Sequence, residues 1–421
     1  MPEGPATIAP GAPGAIFLTG ATGFLGMELL ARYLERTERH VYALVRPTDE
    51  AEPAERLRAV IEELSGDPDA YRGRWTAVAG DAEVPELGIE PARVRELAAE
   101  VTDVVHSAAS VSFSLPLDES RRINVAGTRR LLEFAELCRE RGGLRGFAYV
   151  STAYVAGDHR GWFSEGDLDL GQDFRNSYER SKFEAERLVR ERADALPVQI
   201  FRPSIIVGEQ SSGWTASFNV LYPPLKGFEA GAYPALPASP QTPVDVVPVD
   251  YVADAIVELA ERPAERGEVH HLVAGERATT VGRLAQRAGR YFRRRPPRLL
   301  PPRLYRLLIH PLLVAVSRGR RRRALRSTEA LFPYFSMRVR FDDRRSRARL
   351  EPAGIRPPPP ESYFDRLLDF AVAARWGKRR VTRAEARAEP AARDPSTCRV
   401  AMTRSSVGRP TQVQQRGETN G

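Results

Sequence analysis

The sequence predicts an α/β fold, a doubly wound parallel sheet with a smaller C-terminal substrate-binding part. Three observations carry that prediction. Short apolar runs alternate with amphipathic helical stretches from Ala15 to Val273, a glycine triplet Gly20-x-x-Gly23-x-x-Gly26 directly follows the first run, and a Tyr178-x-x-x-Lys182 pair opens a later helix. Five or six short strands alternating with helices make a sheet covered on both faces, and such sheets bind ligands beyond the carboxyl ends of their strands.

At 421 residues the chain has room for one large α/β domain and a smaller partner. Residues 1–14 are rich in Pro, Gly and Ala and are expected to be flexible. Residues 15–275 are expected to form the dinucleotide-binding domain, with an aromatic-rich substrate segment at 205–243. A helical C-terminal region follows at 276–378, and the polar, aperiodic stretch 379–421 reads as a disordered tail. Two cysteines, Cys138 and Cys398, argue against a disulfide framework and fit a reducing compartment. Cys138 falls on an apolar helical face and reads as a core thiol. Met1 to Gly14 lacks the basic start and apolar core of a signal peptide, so a cytoplasmic location is expected.

The formal charge of +8 comes mostly from Arg-rich stretches such as Arg318 to Arg326. Aromatic residues do not interleave with these arginines and zinc-ligand spacing is missing, which argues against nucleic acid and against a metal. The longest apolar run, Leu307 to Val316, falls far short of the roughly twenty residues of a membrane span. With arginines on both sides, the stretch 303–326 fits either a peripheral contact with a membrane surface or a buried helix.

In chain order, Ala15 to Thr19 is a strand and Gly20 to Gly26 a turn that opens a helix. The turn, with Thr22, Phe24 and Leu25 between its glycines, lets the backbone approach a pyrophosphate and aims helix N–H groups at it. A plain tight turn is the bland alternative. The next strand, His40 to Val45, ends at Arg46, about twenty residues past the last glycine, where an acidic residue would hold the ribose hydroxyls of NAD. A guanidinium there takes a 2′-phosphate as a fork, so NADPH is the expected cofactor, with Asp49 leaving NADH open. The strand Trp75 to Ala79 reaches Asp81, which either bonds the adenine amino group or caps its own turn. The strand from Asp103 brings Ala108 and Ala109, small enough for a cofactor to lie against, and His106, read as a core or supporting residue. Asn124 is either an internal polar residue or holds a water or the active-site lysine. Gly146 to Val150 delivers Ser151 and Thr152 to the sheet edge, where either hydroxyl can bond a developing alkoxide. The strand Val198 to Phe201 follows. The aromatic stretch Gly213 to Pro243 then reads as substrate wall or as ordinary packing.

Tyr178 and Lys182 lie one turn apart on one helix face. A nearby cation lowers a tyrosine from its usual value of about 10, making Tyr178 a candidate proton donor to a carbonyl. Only three lysines occur, Lys182, Lys226 and Lys378, against many arginines. Wherever a generic cation serves, this chain uses Arg, so a lysine kept four residues after a tyrosine points to chemistry. The alternative is a solvated pair on an amphipathic helix.

Taken together, Thr19 to Gly26, Val105 to Phe113, Asn124 to Thr128, Tyr149 to Val155, Tyr178 with Lys182, and Phe201 to Ser204 resemble the extended short-chain dehydrogenase/reductase superfamily, with its Rossmann fold. Within it the chain is most similar to the fatty acyl-CoA reductase and thioester reductase group, the male-sterility family. The resemblance covers about Ala15 to Val273. It is weaker over Pro297 to Ala371, through Phe332 to Phe335 and Phe341 to Asp343. It implies Thr152, rather than Ser151, as the catalytic hydroxyl beside Tyr178 and Lys182, and adds Pro203 and Ile205 to the cofactor contacts. It also implies NADPH delivering hydride to the thioester of an acyl-CoA or acyl-carrier protein. The resulting hemithioacetal would lose a thiol to give an aldehyde, which a second hydride would take to an alcohol. Two other classes stay open. One is an NAD-dependent epimerase or dehydratase of a nucleotide sugar, or another carbonyl reductase of this fold. The other is an NADP-sensing regulator, which has no need of the Tyr/Lys pair.

Overall fold

The computed structural model describes residues 14–262, 267–319, 322, 325–326, 329 and 332–388. Seven strands form the main sheet: β1 (Ala15–Thr19), β2 (Val41–Val45), β3 (Trp75–Ala79), β4 (Val101–His106), β5 (Gly146–Val150), β6 (Val198–Pro203) and β7 (Glu268–Leu272). They lie parallel in the order β7-β6-β5-β4-β1-β2-β3. The chain leaves β1 for one side and later returns to the other, so the order reverses between β1 and β4. That reversal opens a crevice at the strand ends.

Alternation within single strands explains the two-sided burial. Ile16 and Leu18 of β1 point into one core, with α1 (Phe24–Arg36), α2 (Pro53–Ser65) and the helix Val249–Ala260. Phe17 points into the other core, with α3 (Pro91–Glu100), α4 (Gly127–Arg141) and α5 (Ser177–Glu191). Cys138 is buried in that second core, where burial pushes its thiol well up.

The region after residue 275 does not fold apart. Thr279–Thr280 pairs with Pro243–Val244, Arg298–Leu299 with Ala235–Leu236, and Arg338–Phe341 runs parallel to Arg160–Phe163. The region after residue 275 is therefore stitched strand by strand onto the stretches 160–163 and 235–244. Pro302–Leu304, a π-helical turn Tyr305–Ile309 and His310–Val316 follow one another as a helix that buries only one side. Among the described residues no helix is long and apolar enough to cross a membrane.

The expected tail needs correcting up to residue 388; its remainder lies outside the described residues, as does 1–13. The helix Arg383–Ala388 packs on α1 and α2, and Trp214 donates from its indole to the Val381 carbonyl at 3.1 Å. Arg383 is fully buried, with Glu28 at 3.1 Å, Glu35 at 3.3 Å and Glu209 at 3.9 Å. Arg387 pairs with Glu209 as well. Low apolar content hid this docking, because the anchor is a guanidinium meeting carboxylates from distant elements. Removing one partner of a buried ion cluster costs about 3–5 kcal/mol. Arg383→Met should lower unfolding free energy by that amount in urea titration; a loss under about 0.5 kcal/mol, the scale of a surface substitution, would return the segment to a loose tail.

Candidate active site

The glycine turn sits in the crevice between β1 and β4. Gly20 has φ +79, and a Cβ there would come within 2.7 Å of the Ala108 nitrogen. A Cβ on Gly26 would lie 1.9 Å from the Gly20 carbonyl oxygen, so helix and turn close on each other only as glycines. The first turn of α1 carries no acidic side chain. A bare backbone concavity at a helix N-terminus, free of negative charge, fits a pyrophosphate. Behind it, Thr19 Oγ1 hydrogen-bonds His106 Nδ1 at 2.8 Å and accepts from the Ala108 N–H at 3.2 Å, while His106 Nε2 meets Thr128 Oγ1 at 3.1 Å. Burial, aided by Lys182, pushes His106 down to about 3, so it is a neutral strut.

A cavity of about 920 Å³ runs from this turn to the ends of β5 and β6. Of the residues singled out in the sequence, Gly20, Thr22, Gly23, Phe24, Leu25, Gly26, Ala109, Ser151, Thr152, Tyr178, Lys182, Pro203 and Ile205 line it. Lys182 is buried, donates to the Val150 carbonyl at 2.7 Å, and lies 4.3 Å from the Tyr149 ring centroid. Ser151 turns inward and donates to Glu186 Oε2 at 2.6 Å. Thr152 keeps its hydroxyl at the edge, 3.5 Å from the Pro203 carbonyl and accepting from Tyr154 N–H at 3.3 Å.

Tyr178, Lys182 and Glu186 follow at four-residue spacing on α5. Glu186 is held by Arg202 through Nη2 at 2.7 Å and Nε at 3.0 Å, both side chains having no exposed surface, and by Arg190 at 3.0 Å. Burial raises the Glu186 carboxyl, but Arg202 and its neighbours outweigh that and leave it below its usual range. The helix starts at Asn176, whose Oδ1 accepts from the Glu179 N–H at 3.0 Å.

Five sequence expectations meet a different arrangement in the structure. Lys182 does not acidify Tyr178 here: burial prevails, pushing the phenol up to about 12 against the Thr152 hydroxyl. Burial also pushes Lys182 down to about 7 against the pull of Glu186. Asp81 caps its own turn by accepting from the Glu83 N–H at 2.9 Å, and it pairs with Arg46 Nε at 2.9 Å rather than lining the cavity. Arg46 is 56% exposed and also meets Glu83, so it stands outside the cavity wall in a carboxylate clasp. Asn124 bonds Ser110 and Ser181 rather than the lysine. It sits in a π-helical turn, Arg122–Ala126, accepts from Ser110 N–H at 2.8 Å and donates to Ser181 Oγ at 2.9 Å, pinning the loop after β4 to α5. Ala108 lies behind Gly20 rather than on the cavity surface.

Tyr334 falls in the Phe332 to Phe335 stretch of the weaker resemblance, to which the sequence assigns no site role, yet it lines the same cavity. Its hydroxyl donates to Glu179 Oε1 at 2.8 Å and accepts from Asn176 Nδ2 at 2.7 Å, and its ring stacks on Phe113 at 5.3 Å. Beyond Tyr334, Tyr154, Ile205 and Val220 lies a second cavity of about 120 Å³. Its walls are apolar, among them Leu225, Phe228, Leu284, Ala285 and Ala288.

A family model described as "Male sterility protein" matches residues 18–256. The chain belongs to the male-sterility family. The male-sterility match covers the glycine turn, strands β2 to β6 and α5 with its Tyr178 and Lys182. The chain is 32% identical over 282 residues to the nonribosomal peptide synthetase FrzA of Cladobotryum sp, covering 64% of this chain and 27% of that protein. It is 28% identical over 301 residues to a Drosophila melanogaster protein provisionally named a fatty acyl-CoA reductase, covering 62% and 55%. It thus spans from about a quarter to about half the length of these relatives. Among solved structures, the terminal R domain of the myxalamid PKS-NRPS biosynthetic pathway superposes with a TM-score of 0.75 at 30% identity, over 87% of this chain and 92% of that one.

The Glu186–Arg202 pair supports the whole edge. Arg202→Met should cost about 3–5 kcal/mol in urea denaturation by stranding a buried carboxylate, and a double variant with Glu186→Leu should recover much of it. If the single variant is as stable as the parent, the pair is not what holds α5 in place.

Proposed function

We propose that this protein is an NADPH-dependent reductase of acyl thioesters with an apolar acyl part, carried on coenzyme A or a carrier protein. One observation carries the reading. Thr152 and Tyr178 share a cavity with Lys182 and the glycine turn, and that cavity adjoins an apolar pocket. The match to an R domain and the fatty acyl-CoA reductase name of one relative support thioester chemistry. The apolar second pocket argues against a nucleotide sugar.

When bound, the nicotinamide cofactor supplies hydride to the thioester carbonyl. The glycine turn would hold its pyrophosphate, with Ala109, Pro203 and Ile205 along its length. Tyr178, kept protonated by burial, donates its proton to the carbonyl oxygen, and the Thr152 hydroxyl donates a second bond to the same oxygen. Lys182 spends one donor on Val150 and has two more, enough for a ribose hydroxyl and the Tyr178 oxygen. Collapse of the reduced adduct expels a thiol and leaves an aldehyde. Ser151 contributes indirectly, by fixing the loop through Glu186.

The test is single-turnover NADPH oxidation with acyl-CoA thioesters, an acylated carrier protein, the matching aldehydes and a nucleotide sugar. Thiol release in step with NADPH loss is expected. Reaction with aldehydes alone would make the protein a carbonyl reductase, and NADPH binding without any reaction would favour a sensor. Tyr178→Phe should keep NADPH binding and lose about a hundredfold or more in turnover; unchanged turnover removes Tyr178 from proton donation. We assign the 2′-phosphate to Arg46, swung from its clasp with Asp81 and Glu83. Arg46→Ala should then weaken NADPH by roughly tenfold or more, the scale of a charged hydrogen bond, and leave NADH nearly unaffected. Equal weakening of both would sink the assignment.

A further inference from the structure

The helical stretch 302–316 has a finished inner face and an unfinished outer one. Inside, Tyr305 and His310 are buried, and Leu313 and Val314 pack against the cluster of Leu225, Phe228 and Leu284 that walls the apolar pocket. Outside, Leu304 is 46% exposed, Leu307 76%, Leu308 57%, Leu312 64% and Val316 75%. These five are half of the large apolar side chains exposed among the described residues. Concentration on one helix, rather than single scattered leucines, marks a surface meant to be covered.

Charge says what covers it. Between Arg303 and Arg326 the sequence holds eight arginines and no acidic residue. Without those eight, the 63 basic residues fall to 55, equal to the 55 acidic ones, so the chain's net charge of +8 resides entirely in this stretch. Arg303 and Arg306 on this helix and Arg318 just past its end are exposed, as are Arg322 and Arg326 further on. Exposed leucines flanked by arginines, with Glu329 the acidic group that meets this helix, through His310 Nε2 at 2.9 Å, match an anionic lipid surface, where side chains enter the acyl boundary and guanidinium groups meet headgroup phosphates. An acidic protein would satisfy the charge but leave the leucines to chance complementarity.

We propose that the outer face of residues 303–318 docks the protein on anionic membranes, placing the apolar pocket directly beneath the docked face. The docking stands independently of the reductase reading.

Flotation of the full chain with vesicles tests it, using phosphatidylcholine alone and phosphatidylcholine mixed with phosphatidylglycerol. Binding is expected only to the anionic vesicles and should weaken as salt rises. Combined Arg303→Gln, Arg306→Gln and Arg318→Gln should weaken it about a hundredfold, at about fivefold per charge. Combined Leu307→Ser, Leu308→Ser and Leu312→Ser should weaken it at least as much, since burying a leucine is worth more than tenfold. Both variants alter exposed side chains, and an unchanged thermal transition confirms that they fold. Failure of the parent chain to float with anionic vesicles at low salt overturns the proposal. So does binding that the leucine variant leaves intact, or a parent dimer that this variant turns to monomer while vesicle binding is absent.

Discussion

A carboxylate with no route to water, Glu186, holds the site together. It sits two turns after Tyr178 and one after Lys182, so any rotation or slip of α5 that moves those two side chains also drags Glu186 from Arg202, Ser151 and Arg190. A stranded charge at zero exposure costs several kcal/mol, more than any single packing adjustment recovers. The ion pair therefore acts as an index pin. It sets the height of α5 against β5 and β6, and with it the distance at which Tyr178 faces Thr152.

Burial treats Tyr178 and Lys182 alike and drives them in opposite directions on the pH scale. Both neutral forms are favoured, which raises the tyrosine and lowers the lysine. Tyrosine thus remains a donor across the ordinary range, while the lysine stands near its own balance point around neutrality. The simple picture in which an ammonium acidifies a neighbouring phenol misses this, because it counts the charge and omits the lost water.

What could be read from the sequence was what is local. The glycine triplet is a statement about backbone clearance over seven positions, and the closest clearance, at Gly26 against the Gly20 carbonyl, lies inside those seven. Strands announced themselves as apolar runs, and lysine scarcity marked Lys182. What depended on distant partners was illegible. Ser151 and Thr152 look alike in sequence, and what separates them is that the Ser151 hydroxyl is bonded to a carboxylate 35 residues later. Arg46 looked like a free phosphate fork because Asp81 and Glu83, its clasp, come from the next strand's loop. Asn124 is an internal tie between a loop and a helix, and no spacing rule distinguishes that from a ligand. Arg383 gave a polar stretch a docking site through ions instead of apolar faces.

Tyr334 has a consequence for how the molecule comes into being. Its hydroxyl completes the start of α5 through Glu179, a partner 155 positions earlier in the chain, and the strand just after it closes on Arg160–Phe163. On a ribosome the sheet and the glycine turn are exposed well before residues 334–341 emerge. A half-made chain would hold an open crevice with the Phe113 face uncovered. Closure by such distant pairing is slow, since loop entropy must be overcome before the contact rewards it. The cleft thus becomes whole only once residues 334–341 have emerged, well after the stretch that carries Tyr178 and Lys182.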